Sequence, residues 1–424
     1  MTVLWILLAL FVLLALRVPV SFAILMPCLI YVAMDDALTM GIVIQRLAST
    51  LNSFPLVAVP LFILVGFVAD ASGMANRLIV AMLAIFGRLR GSLGYANVGA
   101  SVGFSWMSGS ATADAAAMGA IMGRTMKKHN YTGSFATGLT GAAAMIGPIM
   151  PPSVAAIIFA VLAQTSVSDM FLAGILPAFV IACSLCVYVW IHSRRKPELT
   201  SPKLTRRESA VALGKVVPIL LTPVIIFGGI LGGYFTPTEA ASVAGVYLIL
   251  LGLVTRWMPL KNLVRALRNT AETTGRVMLI ATAGGMLAFV LAREGAPRDA
   301  AEAMLSLTEH PWIFLILLNI ALLLLGMFLE PVSALLITVP VVMPIALEYG
   351  IDPLHLGVIM ILNLSIGLLT PPVGLVLYVL GNASDTPMPD VIRGILPALV
   401  PLGIALILVT YVPILSTGIP GLAR

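Results

Sequence analysis

A seven-residue stretch recurs almost unchanged along this chain. Gly174-Ile-Leu-Pro-Ala-Phe-Val180 returns 220 positions later as Gly394-Ile-Leu-Pro-Ala-Leu-Val400. At the same offset Pro151-Pro152 returns as Pro371-Pro372, and Gly147 as Gly367. Several landmarks at one spacing mark a repeated structural unit. The chain therefore reads as two halves, 1–208 and 209–424.

The repeated unit is apolar. Hydrophobic residues make up 60% of the 424 and charged residues only 10%, against about 25% charged in a soluble domain. No soluble core of this size hides that much apolar surface, so soluble enzyme folds are excluded and an all-α polytopic membrane protein is expected. Each half shows the same order of segments. Two apolar segments come first (2–16 and 19–34; 214–232 and 239–255), then a third (55–70; 277–292) and an amphipathic stretch (74–90; 296–309). Two apolar arms follow around a polar or Pro-containing centre (92–107 and 115–126; 312–328 and 335–347). A long segment broken by Pro-Pro (134–163; 354–380) and a final helix with the Gly-Ile-Leu-Pro signature (172–191; 392–415) complete the unit. The apolar segments suit a hydrocarbon core of about 30 Å. The paired arms fit re-entrant hairpins, and their length also allows two full crossings.

The net charge of +6 resembles that of a nucleic-acid binder, but the basic residues lie between apolar runs and no nucleic-acid partner is expected. Cytoplasmic loops collect Lys and Arg. With an outside N-terminus, five crossings per half and re-entrant hairpins, 20 of the 24 basic residues fall inside. Only Arg46, Arg293, Arg298 and Arg424 fall outside. Five is odd, so the second half is inverted, both termini are periplasmic, and the two hairpins open to opposite sides. The basic run 192–208 is the cytoplasmic loop between halves. Inverted repeats carrying broken helices are a transporter signature, and irregular backbone at membrane depth persists where it lines a cavity or is buried in protein.

Ser108-Gly-Ser-Ala-Thr-Ala-Asp114 lies between the first pair of arms. Its hydroxyls (Ser108, Ser110, Thr112) and freed carbonyls suit a hard cation such as Na⁺. Asp114 is an ionisable group at membrane depth, a functional candidate by default; at the head of an arm it would equally serve as an N-cap. In Gly147-Pro-Ile-Met-Pro-Pro-Ser153 the prolines force a break. The carbonyls left without partners can hold a cation, and the next half-helix points its positive end at the same place. Gly367-Leu-Leu-Thr-Pro-Pro-Val-Gly374 repeats the break, and Gly326-Met-Phe-Leu-Glu-Pro-Val-Ser333 is the second hairpin centre, with Glu330 opposite Ser110. Asn363, one turn before Gly367, faces the site or bonds a neighbouring helix. No Lys or Arg falls at membrane depth near these centres, so an anionic substrate would be held by helix N-termini, hydroxyls and bound cations.

Weaker signals lead elsewhere. Cys183 and Cys186 form a C-x-x-C inside an apolar run and read as small residues on a buried helix rather than as a redox pair. Gly103-Phe-Ser-Trp106 loosely matches an intramembrane serine protease, but Ser105 needs a histidine base, and His129, His192, His310 and His355 map to loops, segment ends or the other half. No enzyme activity is expected.

Taken together, 108–114 (S-G-S-A-T-A-D), 146–153 (I-G-P-I-M-P-P-S), 235–244 (F-T-P-T-E-A-A-S-V-A), 350–357 (G-I-D-P-L-H-L-G) and 367–374 (G-L-L-T-P-P-V-G) resemble the large membrane subunit of tripartite ATP-independent periplasmic (TRAP) transporters, DctM-like or SiaM-like. Glu330 stands where the resemblance leads one to expect Asp. The resemblance implies an elevator-type secondary transporter of the bacterial inner membrane. It would pair with a small four-helix membrane subunit and receive an organic acid (a C4-dicarboxylate, sialic acid or another sugar acid) from a periplasmic substrate-binding protein. It would need no cofactor, with Na⁺ as coupling ion. The implied transport domain is 92–191 plus 312–416, with hairpins 92–128 and 312–349 and broken helices 134–163 and 354–380. The scaffold is 1–73 plus 209–293, and 74–91 and 294–311 are connecting arms. Expected Na⁺ ligands are Ser108, Ser110, Asp114, Gly147 and Pro148 in one site and Glu330, Ser333, Gly367 and Thr370 in the other. Substrate is expected between the hairpin tips, near Thr112, Pro151, Pro152, Ser153, Asn363, Pro371, Pro372 and Gly374.

Overall fold

The computed structural model describes residues 2–194, 199 and 204–423. Of the basic residues sorted by side, Arg195, Lys196, Lys203 and Arg424 lie outside the described residues. All regular structure among the described residues is helical. The first half contains α1 (Thr2–Ala15), α2 (Val20–Met34), α3 (Met40–Leu51), a 3-10 turn (Phe54–Val57), α4 (Ala58–Ala71) and α5 (Met74–Phe86). It continues through α6 (Ser92–Ser108), α7 (Ala111–Lys128), α8 (Gly133–Ala144), α9 (Val154–Leu162) and α10 (Val167–Arg194). The second half contains α11 (Arg206–Leu231), α12 (Pro237–Val254), α13 (Leu260–Arg293), α14 (Ala296–Leu307) and α15 (Pro311–Gly326). Then come α16 (Pro331–Glu348), α17 (Pro353–Leu369), α18 (Leu375–Ser384), α19 (Met388–Tyr411) and α20 (Ile414–Ala423). Among the described residues seven helices are long and apolar enough to cross a membrane, or eight if α14 and α15, bent by 117°, are counted as one span. Large apolar side chains such as Leu4, Val217, Val224 and Ile407 point outward, as lipid contact requires.

Both expected breaks fall where two prolines remove backbone donors: α8 gives way to α9 across 145–153, and α17 to α18 across 370–374. Helix starts are set by short-range chemistry. Thr205 with Glu208, and Thr236 with Glu239, form reciprocal capping boxes at α11 and α12. The F-T-P-T-E motif is thus the start of a helix.

Two elements lie outside the apolar segments read from the sequence, α20, which follows the last of them, and α3. Helix α3 is amphipathic, with only Val43 fully buried, so it forms no apolar run. Its counterpart in the second half is the polar beginning of α13, which continues into the apolar segment 277–292 as one helix of 34 residues. That helix is about 50 Å long, more than the bilayer core, so Lys261, Arg265 and Arg268 extend beyond it. In the first half the same stretch is interrupted at Asn52–Ser53 before the 3-10 turn.

Packing sorts most of the helices into two groups, which meet directly where α13 lies on α16 and α4 on α6. Helices α2, α4, α11, α12 and α13 pack on one another. Helices α6 to α10 pack with α15 to α20, and there the halves interlock: α7 lies on α18, α16 on α9, and α8 on α19. Helix α5 bridges the groups, touching both α6 and α11. The repeated signature has a packing cause. A Cβ on Gly394 or on Gly138 would strike the facing backbone of α8 or α19, and one on Gly174 would strike the Ile149 carbonyl. Glycine lets each final helix cross a broken one with backbone in contact.

Candidate functional site

The first hairpin turns within two residues. Gly109, at φ +61°, ends α6 in the left-handed region that glycine enters without steric penalty. Ser110 then caps α7, its hydroxyl accepting from the Ala113 amide. The capping role open to Asp114 on sequence grounds therefore belongs to Ser110. Asp114 is wholly buried. Its carboxylate accepts hydrogen bonds from Ser105 Oγ at 3.0 Å and from Ser108 Oγ. The two serines are three residues apart on α6, so they share a face. Gly147 closes the group: a Cβ there would lie 2.5 Å from Asp114 Oδ2. Among the described residues no Lys, Arg or His pairs with Asp114.

The first break is built against the same bend. Ser153 donates its hydroxyl to the Pro148 carbonyl and caps α9, accepting from the Ala156 amide at 3.2 Å. Pro151 and Pro152, joined by a cis bond, are buried. The Gly109 bend rests on the Pro152 carbonyl, 2.5 Å from where a Gly109 Cβ would be. Ser108, Asp114, Gly147 and Pro148 thus converge, with the Pro-Pro pair and Ser153 beside them.

Ser110 and Thr112, with hydroxyls 3.1 Å apart, line a cavity of about 770 Å³. Its walls come from both hairpin bends, the first break (Pro148) with the start of α9, the end of α17 (Leu368), α4 and α13. Glu330 enters it from the second bend. Although it is the N-cap residue of α16, Glu330 makes no capping hydrogen bond.

The halves differ at this level. In the first, the acid is sealed between the hairpin arms and the break; in the second, Glu330 is exposed to the cavity. Gly367 instead packs on Gly326 at the end of α15: a Cβ on Gly367 would lie 2.6 Å from the Gly326 Cα. Thr370 caps the end of α17 and donates to the Ile366 carbonyl at 2.8 Å. Ser333 is buried on α16. Pro371 and Pro372, again joined by a cis bond, are more open than the first pair, and Gly374, at φ +39°, starts α18. Asn363 is buried on α17 and donates to Asn319 Oδ1 at 2.5 Å and to the Ile359 carbonyl at 2.9 Å; it does not line the cavity.

Three cavity or site residues carry no such role in the sequence reading. Ser105 stands out there only as a nucleophile, but its hydroxyl is bonded to a carboxylate and not to an imidazole. The histidines are held elsewhere, His355 between Ser416 and the Thr410 carbonyl and His129 on the Thr125 carbonyl. Asp70 and Thr273 line the cavity from α4 and α13. An acid at the end of an apolar run is the available signal for Asp70.

Comparison with known proteins identifies the chain. The family described as "Tripartite ATP-independent periplasmic transporter, DctM component" matches residues 7–415. The sialic acid TRAP transporter large permease protein SiaM of Vibrio cholerae is 39% identical over 405 residues, covering 95% of each chain. The C4-dicarboxylate TRAP transporter large permease protein DctM of Pseudomonas aeruginosa is 39% identical over 376 residues, covering 88% of each. The 2,3-diketo-L-gulonate TRAP transporter large permease protein YiaN of Escherichia coli is 33% identical over 400 residues, covering 94% of each. The crystal structure of the Alcanivorax borkumensis YdaH transporter shares the fold, with a TM-score of 0.64 at 16% identity over 89% of each chain. The relatives are transporter permeases and not enzymes, and the family model runs from within the first helix through both hairpins and both breaks. The chain belongs to the DctM component family of tripartite ATP-independent periplasmic transporters, as a large permease subunit.

Proposed function

We propose that this subunit carries an organic acid across the bacterial inner membrane, driven by Na⁺, by an elevator-type movement of the hairpins and broken helices against the scaffold. The observation that carries the coupling claim is Asp114. A carboxylate with no exposure and no cationic side-chain partner is costly to keep as an anion. A bound Na⁺ supplies the missing charge, and Asp114, Ser105, Ser108 and the carbonyls of Gly147 and Pro148 are the hard oxygen donors such an ion takes. The second ion would use Glu330, Ser333, Gly367 and Thr370.

The substrate would occupy the 770 Å³ cavity, with Ser110, Thr112 and the N-terminal end of α9 at the first Pro-Pro break as its polar contacts. Relatives named for sialic acid, C4-dicarboxylates and 2,3-diketo-L-gulonate support an organic acid as the class. The packing of helices into two groups supports a moving body of 92–191 plus 312–416, a scaffold of 1–73 plus 209–293, and arms at 74–91 and 294–311. A small four-helix membrane subunit and a periplasmic binding protein would complete the system, with both termini on the periplasmic side.

The test is uptake into vesicles holding the large and small subunits, with the binding protein outside. Uptake of succinate or N-acetylneuraminate should follow an imposed Na⁺ gradient. Indifference to that gradient would overturn the coupling. Uptake by the large subunit alone would favour a self-sufficient carboxylate symporter instead.

A further inference from the structure

A second cavity, of about 1010 Å³, adjoins the first. It lies between the end of α4, helix α5, the first turns of α11 and the turn holding Trp257. Asp70 and Gly73 line both cavities, so the two meet at this wall. Their charge differs in sign. The central cavity is lined by the carboxylates of Asp70 and Glu330 and, among the described residues, by no Lys, Arg or His. The second is lined by Arg77, Arg207 and Lys215.

These cations are arranged, not merely present. Arg77 sits over the Trp257 ring, its Cζ 3.9 Å from the ring centroid. Its Nη1 donates to the carbonyls of Ser72 at 2.6 Å and Gly73 at 2.9 Å, which fixes the guanidinium at the junction of the cavities. Arg207 and Lys215 are eight residues apart on α11, so they fall on one helical face. Two carboxylates also line this cavity. Asp70 stands at the junction, and Glu208 is committed to its capping box, with Oε2 accepting from the amide and hydroxyl of Thr205 at 2.8 Å each. The free field toward the open end is therefore positive, and the volume accommodates a small organic acid.

We infer that this cavity is a second oxyanion site, which receives the carboxylate of the transported acid as it leaves the central cavity for the cytoplasm. The inference rests on the proposed transport of an organic acid and on the inward placement of these basic residues. Asp70, at the junction, acts on an anion in either cavity; Glu330 repels one from the central cavity alone, and Arg77, Arg207 and Lys215 attract it into the second, which gives release a direction. A phospholipid phosphate carries the same oxyanion chemistry and could reach the same cations from the membrane surface.

The test uses the complex of large and small subunits in phosphatidylcholine vesicles loaded with succinate or N-acetylneuraminate, with excess unliganded binding protein outside as acceptor. Arg207→Gln/Lys215→Gln should raise the half-saturating internal concentration for efflux at least fivefold and leave the external KM for uptake unchanged. An unchanged internal value, in a variant whose uptake is normal, overturns the site and leaves the transport reading intact. Absence of organic-acid transport by the wild type overturns the transport reading itself. An unchanged internal value together with an anionic phospholipid retained by the wild-type complex in native mass spectrometry, and lost from the variant, overturns the carboxylate as occupant and assigns the cations to lipid.

Discussion

The hydroxyl of Ser105 lies 3.0 Å from Oδ2 of Asp114, in the buried space between the two arms of the first hairpin. A hydrogen bond to a charged group contributes about 1.5–3 kcal/mol. Replacing Ser105 with Ala removes one such bond from the group proposed to hold Na⁺. The half-saturating Na⁺ concentration for uptake should rise about tenfold or more by that arithmetic, with little change in substrate KM at saturating Na⁺. Asp114→Asn should abolish the response to a Na⁺ gradient. A Ser105→Ala transporter with wild-type Na⁺ dependence would remove this carboxylate from the ion site.

Much of this arrangement is legible in the sequence because it depends on residues with one physical meaning. Pro151-Pro152 and Pro371-Pro372 cannot continue a helix, and both breaks fall there. Gly109 followed by a hydroxyl residue announces a tight bend and a cap. What escapes depends on contacts between distant segments. Nothing near Asn363 reveals that it bonds Asn319, forty-four positions away. Nothing near Asp70 reveals that it faces the first hairpin. Helix α3 escapes because an amphipathic helix against a scaffold lacks the long apolar run that marks the others.

The crossing of α8 and α19 gives a prediction about folding. A Cβ at Gly138 or Gly394 meets backbone atoms of the facing helix, and backbone cannot move aside as a side chain can. Overpacking of this kind costs about 1–3 kcal/mol or more. Gly403 lies on the same helix α19 with nothing within 4 Å of its Cβ position. Gly394→Ala and Gly138→Ala should lower the thermal unfolding midpoint of the purified complex. Gly403→Ala should leave it unchanged or raise it, since Ala exceeds Gly in helix propensity by about 1 kcal/mol. Equal behaviour of the three variants would show that the helices can separate freely.

The loop after α2 carries an acid-sensitive contact. Asp35 accepts the Ala37 amide at 2.9 Å and pairs with Arg293 at 3.0 Å. The Ala37 amide first, and then Arg293, hold its carboxyl below the usual carboxylate range. A lowered folded-state value means that the contribution is present above the unfolded value, about 4, and fades as pH falls through the folded one. Protection of the Ala37 amide from hydrogen exchange, corrected for intrinsic rate, should therefore hold from neutral pH down to about 4 and decline below it. Asp35→Ala should lack that protection at every pH. A wild-type profile that declines instead near neutrality would point to a different group.

The pair Asn363 and Asn319 is a test of packing against recognition. Asn363 donates to Asn319, and Asn319 in turn donates to Thr410 Oγ1 at 3.4 Å, so the two amides join α17, α15 and α19 inside the helical body. Removing one partner leaves the other, Asn363 buried or Asn319 half-buried, without it, which costs up to about 1–3 kcal/mol. Replacing both with apolar groups of similar shape removes the need for the bond. Asn319→Leu and Asn363→Leu should each lower the unfolding midpoint, and the double variant should recover part of the loss. The double variant should keep the substrate KM, because Asn363 lies off the cavity wall. A rise in KM in the double variant, with the midpoint restored, would instead place Asn363 in contact with the substrate during transport.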